Sequence, residues 1–438
     1  MTARALAIEV LARVEATEAW LTPVLDARLS ESPFRDTRDA ALATELAYGA
    51  TRRRLALDFA LVGVSDRRLE TLEDRVLAAL RVGAYQLFYL RMPARAAVAD
   101  TVEAIKELGL GRAAGFVNAV LRKLSALPHQ PLPPPEPLAD YLSVKESHPR
   151  WLVERWLEAF GQAETEAMLA ADNQPPPLVL RANTTTTSRE ALLGLLEEAG
   201  LEPRATLASP VGLSLLAKGR VESLLGFAEG FWQVQDEAAQ LVVHYASVPE
   251  GSRVLDVCAA PGGKSCQLAE HGVVVALDLH ARKLEGVRAE AARLGLTSRL
   301  TLRAHDATQP LPVDLGRFDA VLLDAPCSGL GTLRRNPELR YRRKEEDLSR
   351  LVALQRLLLE RVQAAVSKGG LLVYAVCSTE PEEGPHQLED FLRAWPDFVL
   401  APPEGQAARD CPLEDGCLRT LPGPEGRDGF FAARLRRK

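Results

Sequence analysis

At 438 residues, with 47% hydrophobic and 26% charged side chains, the chain has material for about three domains, each with a core of ordinary size. No run approaches the ~18 uninterrupted apolar residues of a membrane span, and the six cysteines contain no C-x-x-C pair. A membrane span, a cysteine zinc site and a disulfide scaffold are therefore excluded, and free thiols in a cytoplasmic, metal-free protein are expected.

Residues 1 to 127 read as helix after helix, at about 3–16, 37–62, 71–91, 95–108 and 112–126, with no alternating strand pattern. In the first of these, Ala3, Leu6, Ala7, Val10, Leu11 and Val14 recur at helical spacing. Gly49 and Gly83 fall inside predicted helices, where glycine costs about 1 kcal/mol against alanine, and they point to close helix packing. The passages 45–53, 80–87, 97–100 and 115–122 together resemble the NusB-like all-helical RNA-binding domain. The periodicity by itself establishes only a helical bundle.

Prolines 128, 131, 133, 134, 135 and 137 make residues 128–139 a stiff, extended linker, and the first domain boundary is expected there. Residues 140–235 form an intermediate α+β segment. Trp151 to Leu157 belongs to an aromatic-rich helix, Pro175 to Pro177 ends the helical part, and 178–183 reads as a strand. Ser188 is placed to cap a helix running to Ala199. Phe231 to Asp236 offers aromatics that could face a nucleic acid, although core packing is their commoner fate.

Residues 236–438 carry the chemistry. Arg253 to Val257 is a strand, followed by Cys258, Ala259, Ala260, Pro261, Gly262, Gly263 and Lys264, a glycine turn opening a helix. Such a turn lets the backbone approach a ligand, and the N–H groups of the new helix favour an anionic group such as a carboxylate. The next strand delivers Asp278, 22 residues after Asp256, about the spacing at which a second-strand acid meets ribose hydroxyls. His305 and Asp306 end a third strand, and Asp324 ends a fourth, Val321 to Leu323. A G-x-G-x-x-G turn is absent, which disfavours a dinucleotide. Cys327 lies just past Asp324, and Cys377 ends a fifth strand, 371–376, so two cysteines emerge at the tips of consecutive strands where open α/β sheets bind their ligands.

The net charge of −6 argues against a nucleic-acid partner for the chain as a whole. Residues 331 to 344, however, gather Arg334, Arg335, Arg340, Arg342, Arg343 and Lys344 around a single acid, Glu338, directly after the Asp324/Cys327 loop, which suits them to phosphate contacts.

The stretches CAAPGGK (258–264), LDAPCSGLGTLRRNPELR (323–340) and YAVCSTEPEEG (374–384) closely resemble the RNA cytosine-C5 methyltransferases of the Nop2/Sun family. With the NusB-like front end and the closing Asp428 to Leu435, the resemblance narrows to members acting on 16S ribosomal RNA and covers nearly the whole chain. It implies a Rossmann-like class I methyltransferase sheet behind an all-α NusB-like domain and a small α+β segment, in a monomer. It implies S-adenosyl-L-methionine as cofactor, its carboxylate end on Cys258 to Lys264, its ribose on Asp278 and its adenine near Asp306, with Asp324 bordering cofactor and base. Cys377 would add to C6 of the cytosine, Asp324 would hold N3, and Cys327 would assist release. Two departures stand out: Gly384 where the family usually has asparagine, which puts in doubt a loop-ordering contact near Cys377, and Ser265 where threonine is usual.

Two other readings remain. In a DNA cytosine-C5 methyltransferase the thiol of the Pro-Cys pair attacks, which would make Cys327 the nucleophile; Ser328, where glutamine would follow, speaks against it. An RNA-binding assembly factor with an inactive methyltransferase fold is the other, and the presence of every expected catalytic side chain weighs against that.

Overall fold

The first helix, α1 (Ala3–Thr17), is apolar on two sides. Ala5, Ile8 and Leu11 enter one buried cluster while Leu6, Val10 and Val14 enter another, so α1 is the element around which its neighbours assemble. Thr2 caps it by accepting from the Ala5 N–H. A computed structural model describing residues 1–32, 37–215 and 221–438 continues with α2 (Leu21–Ser30), α3 (Arg38–Arg52), α4 (Arg54–Val62), α5 (Asp74–Phe88), α6 (Ala94–Glu107), α7 (Ala114–Ser125), α8 (Leu138–Glu146) and α9 (Arg150–Asp172). Helix α2 escaped the sequence reading, and the expected helix 37–62 breaks at Arg53, whose ψ of 15° leaves the helical range. The two helical glycines do mark close packing. A methyl group at Gly49 would stand 2.0 Å from the Tyr85 ring, and one at Gly83 would stand 2.5 Å from Leu121.

By contacts the chain forms two compact units, Met1–Pro175 with Leu333–Glu345, and Pro176–Thr332 with Glu346–Lys438. The proline-rich stretch thus lies inside the first unit, not at its edge. Helices α8 and α9 bury Leu142, Leu152, Val153 and Trp156 and extend the helical body, which ends at the prolines after Asn173.

The second unit begins with β1 (Leu178–Ala182), α10 (Arg189–Glu198), β2 (Arg204–Ala205), β3 (Gly212–Leu215) and β4 (Trp232–Val234), an antiparallel sheet in the order β2-β3-β1-β4. Ser188 accepts from Ala191 N at 3.1 Å, the expected cap. Trp232 is fully buried with Leu180, Leu192 and Leu213, so these aromatics are core. After α11 (Glu237–Ala246) come β5 (Arg253–Val257), α12 (Gly263–Ala269), β6 (Val273–Asp278), α13 (Ala281–Arg293), β7 (Leu300–Ala304) and β8 (Phe318–Asp324). A short helix α14 (Leu339–Arg342) belongs to the first unit. The chain then runs through α15 (Glu345–Val362), β9 (Val366–Val376), α16 (Pro385–Ala394), β10 (Phe398–Leu400), α17 (Gly405–Asp410), β11 (Leu413–Glu414), β12 (Cys417–Thr420) and β13 (Phe430–Arg437).

Strands β7, β6, β5, β8 and β9 are parallel neighbours in that order, and β13 closes antiparallel on β9. Both faces are covered, since Val254 and Val274 join one apolar cluster while Leu255 and Val275 join the other. That is why these strands read as unbroken apolar runs. The order of strands reverses between β5 and β8, the switch point where the carboxyl ends of an open sheet leave a crevice.

Candidate active site

The parallel register brings the ends of β5, β6, β8 and β9 to one edge, so the residues after them share one crevice. At the tips of β8 and β9 the sulfurs of Cys327 and Cys377 lie 3.3 Å apart. Both side chains are half-buried. Gly331 N donates to Cys377 O at 3.1 Å and Ala325 N donates to Ala375 O at 2.9 Å, so the two loops are tied through their backbones. The Cys327 thiol is held well above its ordinary range, first by its contact with Cys377 and then by burial.

Lys264, from the turn after β5, donates to Asp324 Oδ2 at 2.8 Å and sits 5.0 Å over the Phe430 ring. Burial, the largest single influence, would lower the lysine's pKa, but Asp324 together with Cys377 and Asp256 outweighs it and the net shift is upward, so the ammonium is retained. This ion pair was invisible in the sequence, where Lys264 is only the last residue of the glycine turn.

The turn itself is organised by acids. Asp278 accepts from Ala260 N at 3.1 Å through one oxygen and from His280 N at 2.9 Å through the other, leaving lone pairs for further donors. Asp256 is buried beneath the turn, takes the Ser265 hydroxyl on one oxygen and has no partner on the other. Burial raises its pKa to about 7. Asp306 stays at the tip of β7, accepting from Thr308 N and Oγ1. Cys258 is pushed up to about 12 by burial and then by Asp324, Asp278, Asp256 and Asp306. Asp278, Asp306 and Asp324 against one lysine make this crevice suited to a cationic ligand. Leu279, 59% exposed directly after Asp278, offers an apolar surface beside it. Among the described residues no group of three or more His, Cys, Asp or Glu could hold a metal, and no helix is long and apolar enough to cross a membrane.

Glu383 was missed in the sequence. It is fully buried and collects four donors: Ser328 N at 2.8 Å, Ser328 Oγ at 2.5 Å, Ser378 Oγ at 2.5 Å and Gln355 Nε2 at 2.9 Å. The loop ordering that Gly384 put in doubt therefore has a source one residue earlier. A Cβ at Gly384 would meet the Phe431 ring at 3.0 Å, so a larger residue there needs that ring to move.

The basic stretch corrects an expectation. Arg334 and Arg340 are buried, and their guanidinium groups are used inside the first unit. Arg334 Nε donates to Ala171 O at 2.7 Å, and Arg340 donates to Asn173 Oδ1, Asp172 O and Ser147 O at 3.0 to 3.3 Å. Arg342 donates to Ala19 O and Val14 O. Buried and bonded in this way, Arg334 and Arg340 anchor this segment to the helical unit, and the Arg340 Nε, itself unpartnered, is buried away from any phosphate. Arg335 and Arg343 are half-exposed.

Comparison with known proteins agrees with this geometry. Residues 245–436 match the family described as 16S rRNA methyltransferase RsmB/F, residues 1–126 the NusB family, and residues 148–222 the ferredoxin-like domain of RsmF/B-like methyltransferases. The ribosomal RNA small subunit methyltransferase B of Pseudomonas putida is 39% identical over 99% of this chain and 98% of its own length. A probable counterpart from Bacillus subtilis is 33% identical over 99% of this chain and 98% of its own. Among solved structures, the protein PH0851 superposes with a TM-score of 0.83 at 26% identity, covering 99% of both chains. A methyltransferase homolog from Pyrococcus horikoshii gives 0.59 at 26% identity over 69% of this chain and all of its own. A relationship at this identity over the full length of both chains leaves one conclusion: the chain belongs to the RsmB/F family of 16S rRNA methyltransferases.

Proposed function

We propose that this chain methylates C5 of a cytidine in 16S ribosomal RNA, using S-adenosyl-L-methionine and a transient bond from Cys377 to C6 of the base. The observation that carries this reading is the pair of sulfurs 3.3 Å apart beside the Lys264/Asp324 ion pair. A nitrogen or oxygen acceptor already has a lone pair to offer. C5 of cytosine does not, and must first be activated by a nucleophile adding at C6. A thiol at a strand tip supplies that nucleophile, and the second thiol beside it is available for the release step.

Cys377 is the nucleophile in this reading. The Cys327 S–H can donate to a Cys377 thiolate, and the Lys264 ammonium lies close enough to favour that charge. Addition forms the S–C6 bond while the C5=C6 electron pair shifts into the ring, and Asp324 holds the proton at N3 that offsets the developing charge. C5 then has the electron density to accept a methyl group. H5 leaves to a base, C5=C6 re-forms, and the S–C6 bond breaks with its pair returning to Cys377. Cys327 suits the role of that base. To do so, Cys327 first gives its S–H proton to solvent once Cys377 is bound to C6; the resulting thiolate takes H5 and returns to S–H.

The cofactor, when bound, supplies an electrophilic methyl group on a sulfonium centre. Cys258 to Lys264 would hold its methionine end, Asp278 its ribose hydroxyls, and Leu279 and Asp306 would border its purine. The excess of carboxylates around Cys258 fits the positive charge. Cytosine must be unstacked to reach the sulfurs, which favours a loop or partly folded RNA. Arg335 and Arg343 remain candidates for its phosphates.

RNA carrying 5-fluorocytidine tests the assignment, because fluorine at C5 blocks the release step. A covalent protein–RNA adduct is expected for the wild type and for Cys327→Ala, and none for Cys377→Ala. An adduct that survives Cys377→Ala and vanishes in Cys327→Ala would move the nucleophile and overturn the mechanism.

A further inference from the structure

Ser328 directly follows Cys327, and Ser378 directly follows Cys377. The two serine oxygens lie 3.1 Å apart, and each is also 2.5 Å from the same oxygen of Glu383. Both hydroxyl protons go to the carboxylate, so the contact between the serines is held by Glu383 and not by a bond between them. The other carboxylate oxygen takes Ser328 N and Gln355 Nε2, and that amide also donates to Pro326 O at 3.0 Å. Tyr374, on β9, donates to the main-chain oxygen of Glu383 at 2.5 Å, which fixes the carboxylate from behind. One buried acid therefore joins the residues next to both thiols, and every bond in the set is independent of RNA and cofactor.

We infer that Glu383 is a positioning residue that holds the Cys327 and Cys377 loops in register, so that both sulfurs face one base and adduct formation is followed by release. This rests on the mechanism proposed above and assigns its geometric control to a residue that touches neither base nor cofactor. A serine-to-carboxylate tie elsewhere, such as Ser265 to Asp256, does not do the same, because this one spans the two strand tips that carry sulfur. The carboxylate has a second effect in the same direction. Its charge adds to the contact with Cys377 and to burial in keeping the proton on Cys327.

The test reads thiol proximity first, with no substrate present. Diamide accepts two electrons and two protons from a pair of thiols, becoming the hydrazine while they become a disulfide. In the full-length wild type it should link Cys327 to Cys377, detected by peptide mass mapping, and in Glu383→Ala this should slow by about tenfold or more. Glu383→Gln, which keeps an acceptor for Ser328 N, should recover part of the rate. On unmodified RNA, Glu383→Ala should accumulate the covalent Cys377 adduct, because release suffers more than addition, while a side chain serving stability alone would lower both together. Ser378→Ala removes a single strut, and melting curves for each variant separate loss of fold from loss of register. Equal disulfide rates in wild type, Glu383→Ala and Ser378→Ala would overturn the inference. Slowed disulfide formation in Glu383→Ala, without any wild-type adduct on 5-fluorocytidine RNA, would instead leave the clamp standing and refute the covalent mechanism.

Discussion

Lys264 Nζ and Asp324 Oδ2 are joined at 2.8 Å, across from the tip of β5 to the tip of β8. The pair brings a proton-rich group and a carboxylate to the same crevice as the two sulfurs. Removing one partner leaves the other partly buried and unpaired, which costs more than the pair contributes. Asp324→Asn should lower the single-turnover methylation rate by about 10²- to 10⁴-fold, the range for a lost acid–base group, with adduct formation on 5-fluorocytidine RNA falling alongside it. Lys264→Met should also slow addition, since it removes the cation beside Cys377. Unchanged adduct formation in Asp324→Asn would exclude the carboxylate from proton handling at N3.

The first unit holds a pH-dependent contact that can be examined apart from catalysis. His148 is fully buried, and its pKa is pushed well below the usual value by burial and then by Arg340, so the ring is neutral. Nδ1 lies 2.7 Å from Glu146 O, which can only accept, so the proton is there and Nε2 is an acceptor. Its neighbour at 3.4 Å is Asp172 Oδ2, which must then carry a proton. Burial raises Asp172 to about 7, consistent with that assignment. An acid whose folded pKa exceeds its unfolded value of 3.8 gives stability that is complete below pH 4 and declines as pH rises to 7. The full loss is on the order of 4 kcal/mol. In Asp172→Asn the amide N–H replaces the acid proton at every pH. Thermal melting should therefore show the variant close to wild type at or below about pH 4 and more stable than wild type at about pH 8. Parallel profiles would sink the protonated-acid assignment.

The acids and sulfurs at the strand tips were legible because each parallel strand reads as an apolar run that ends abruptly: Leu323 then Asp324, Leu277 then Asp278, Val376 then Cys377. Burial on both sheet faces makes the run, and the crevice makes its end. Glu383 was not legible, because nothing local distinguishes it from Glu380 or Glu382; its role exists only once β8 and β9 are neighbours. The arginines failed for a related reason. Counting charges in 331–344 gives the sign of a segment but not the direction of its side chains, and Arg334 and Arg340 point into the helical unit. Helix α2 was missed and Arg53 not seen as a break, because helix boundaries depend on packing that periodicity does not encode.

The helical glycines allow a sharper stability prediction than their propensity does. Gly49→Ala gains about 1 kcal/mol of helix propensity but drives a methyl group into the Tyr85 ring at 2.0 Å. That ring is held by its hydroxyl, which donates to Glu45 Oε1 at 2.5 Å, and it stacks on Tyr89, so it has little room to yield. Overpacking costs about 1–3 kcal/mol and should win, giving a lower melting temperature. Gly83→Ala meets the methyl ends of Leu121, which can change rotamer, and should be closer to neutral. A Gly49→Ala protein as stable as wild type would mean that α3 and α5 separate at little cost.

Arginines 334, 335, 340 and 343 separate into two classes that salt titration can tell apart. A side chain that neutralises a phosphate contributes about one unit to the slope of log affinity against log salt, and its loss weakens binding evenly across sequences. Arg335→Ala and Arg343→Ala should behave this way, each lowering the slope for 16S ribosomal RNA fragments by about one. Arg340→Ala should leave the slope unchanged, because its guanidinium is occupied by Asn173 Oδ1, Asp172 O and Ser147 O. Its loss should appear instead as a lower melting temperature, about 1–3 kcal/mol for each buried acceptor left unsatisfied. Arg340→Lys should recover little of that, since one ammonium cannot reach the carbonyls a planar fork serves together. A reduced salt slope in Arg340→Ala at full thermal stability would return this residue to the RNA surface.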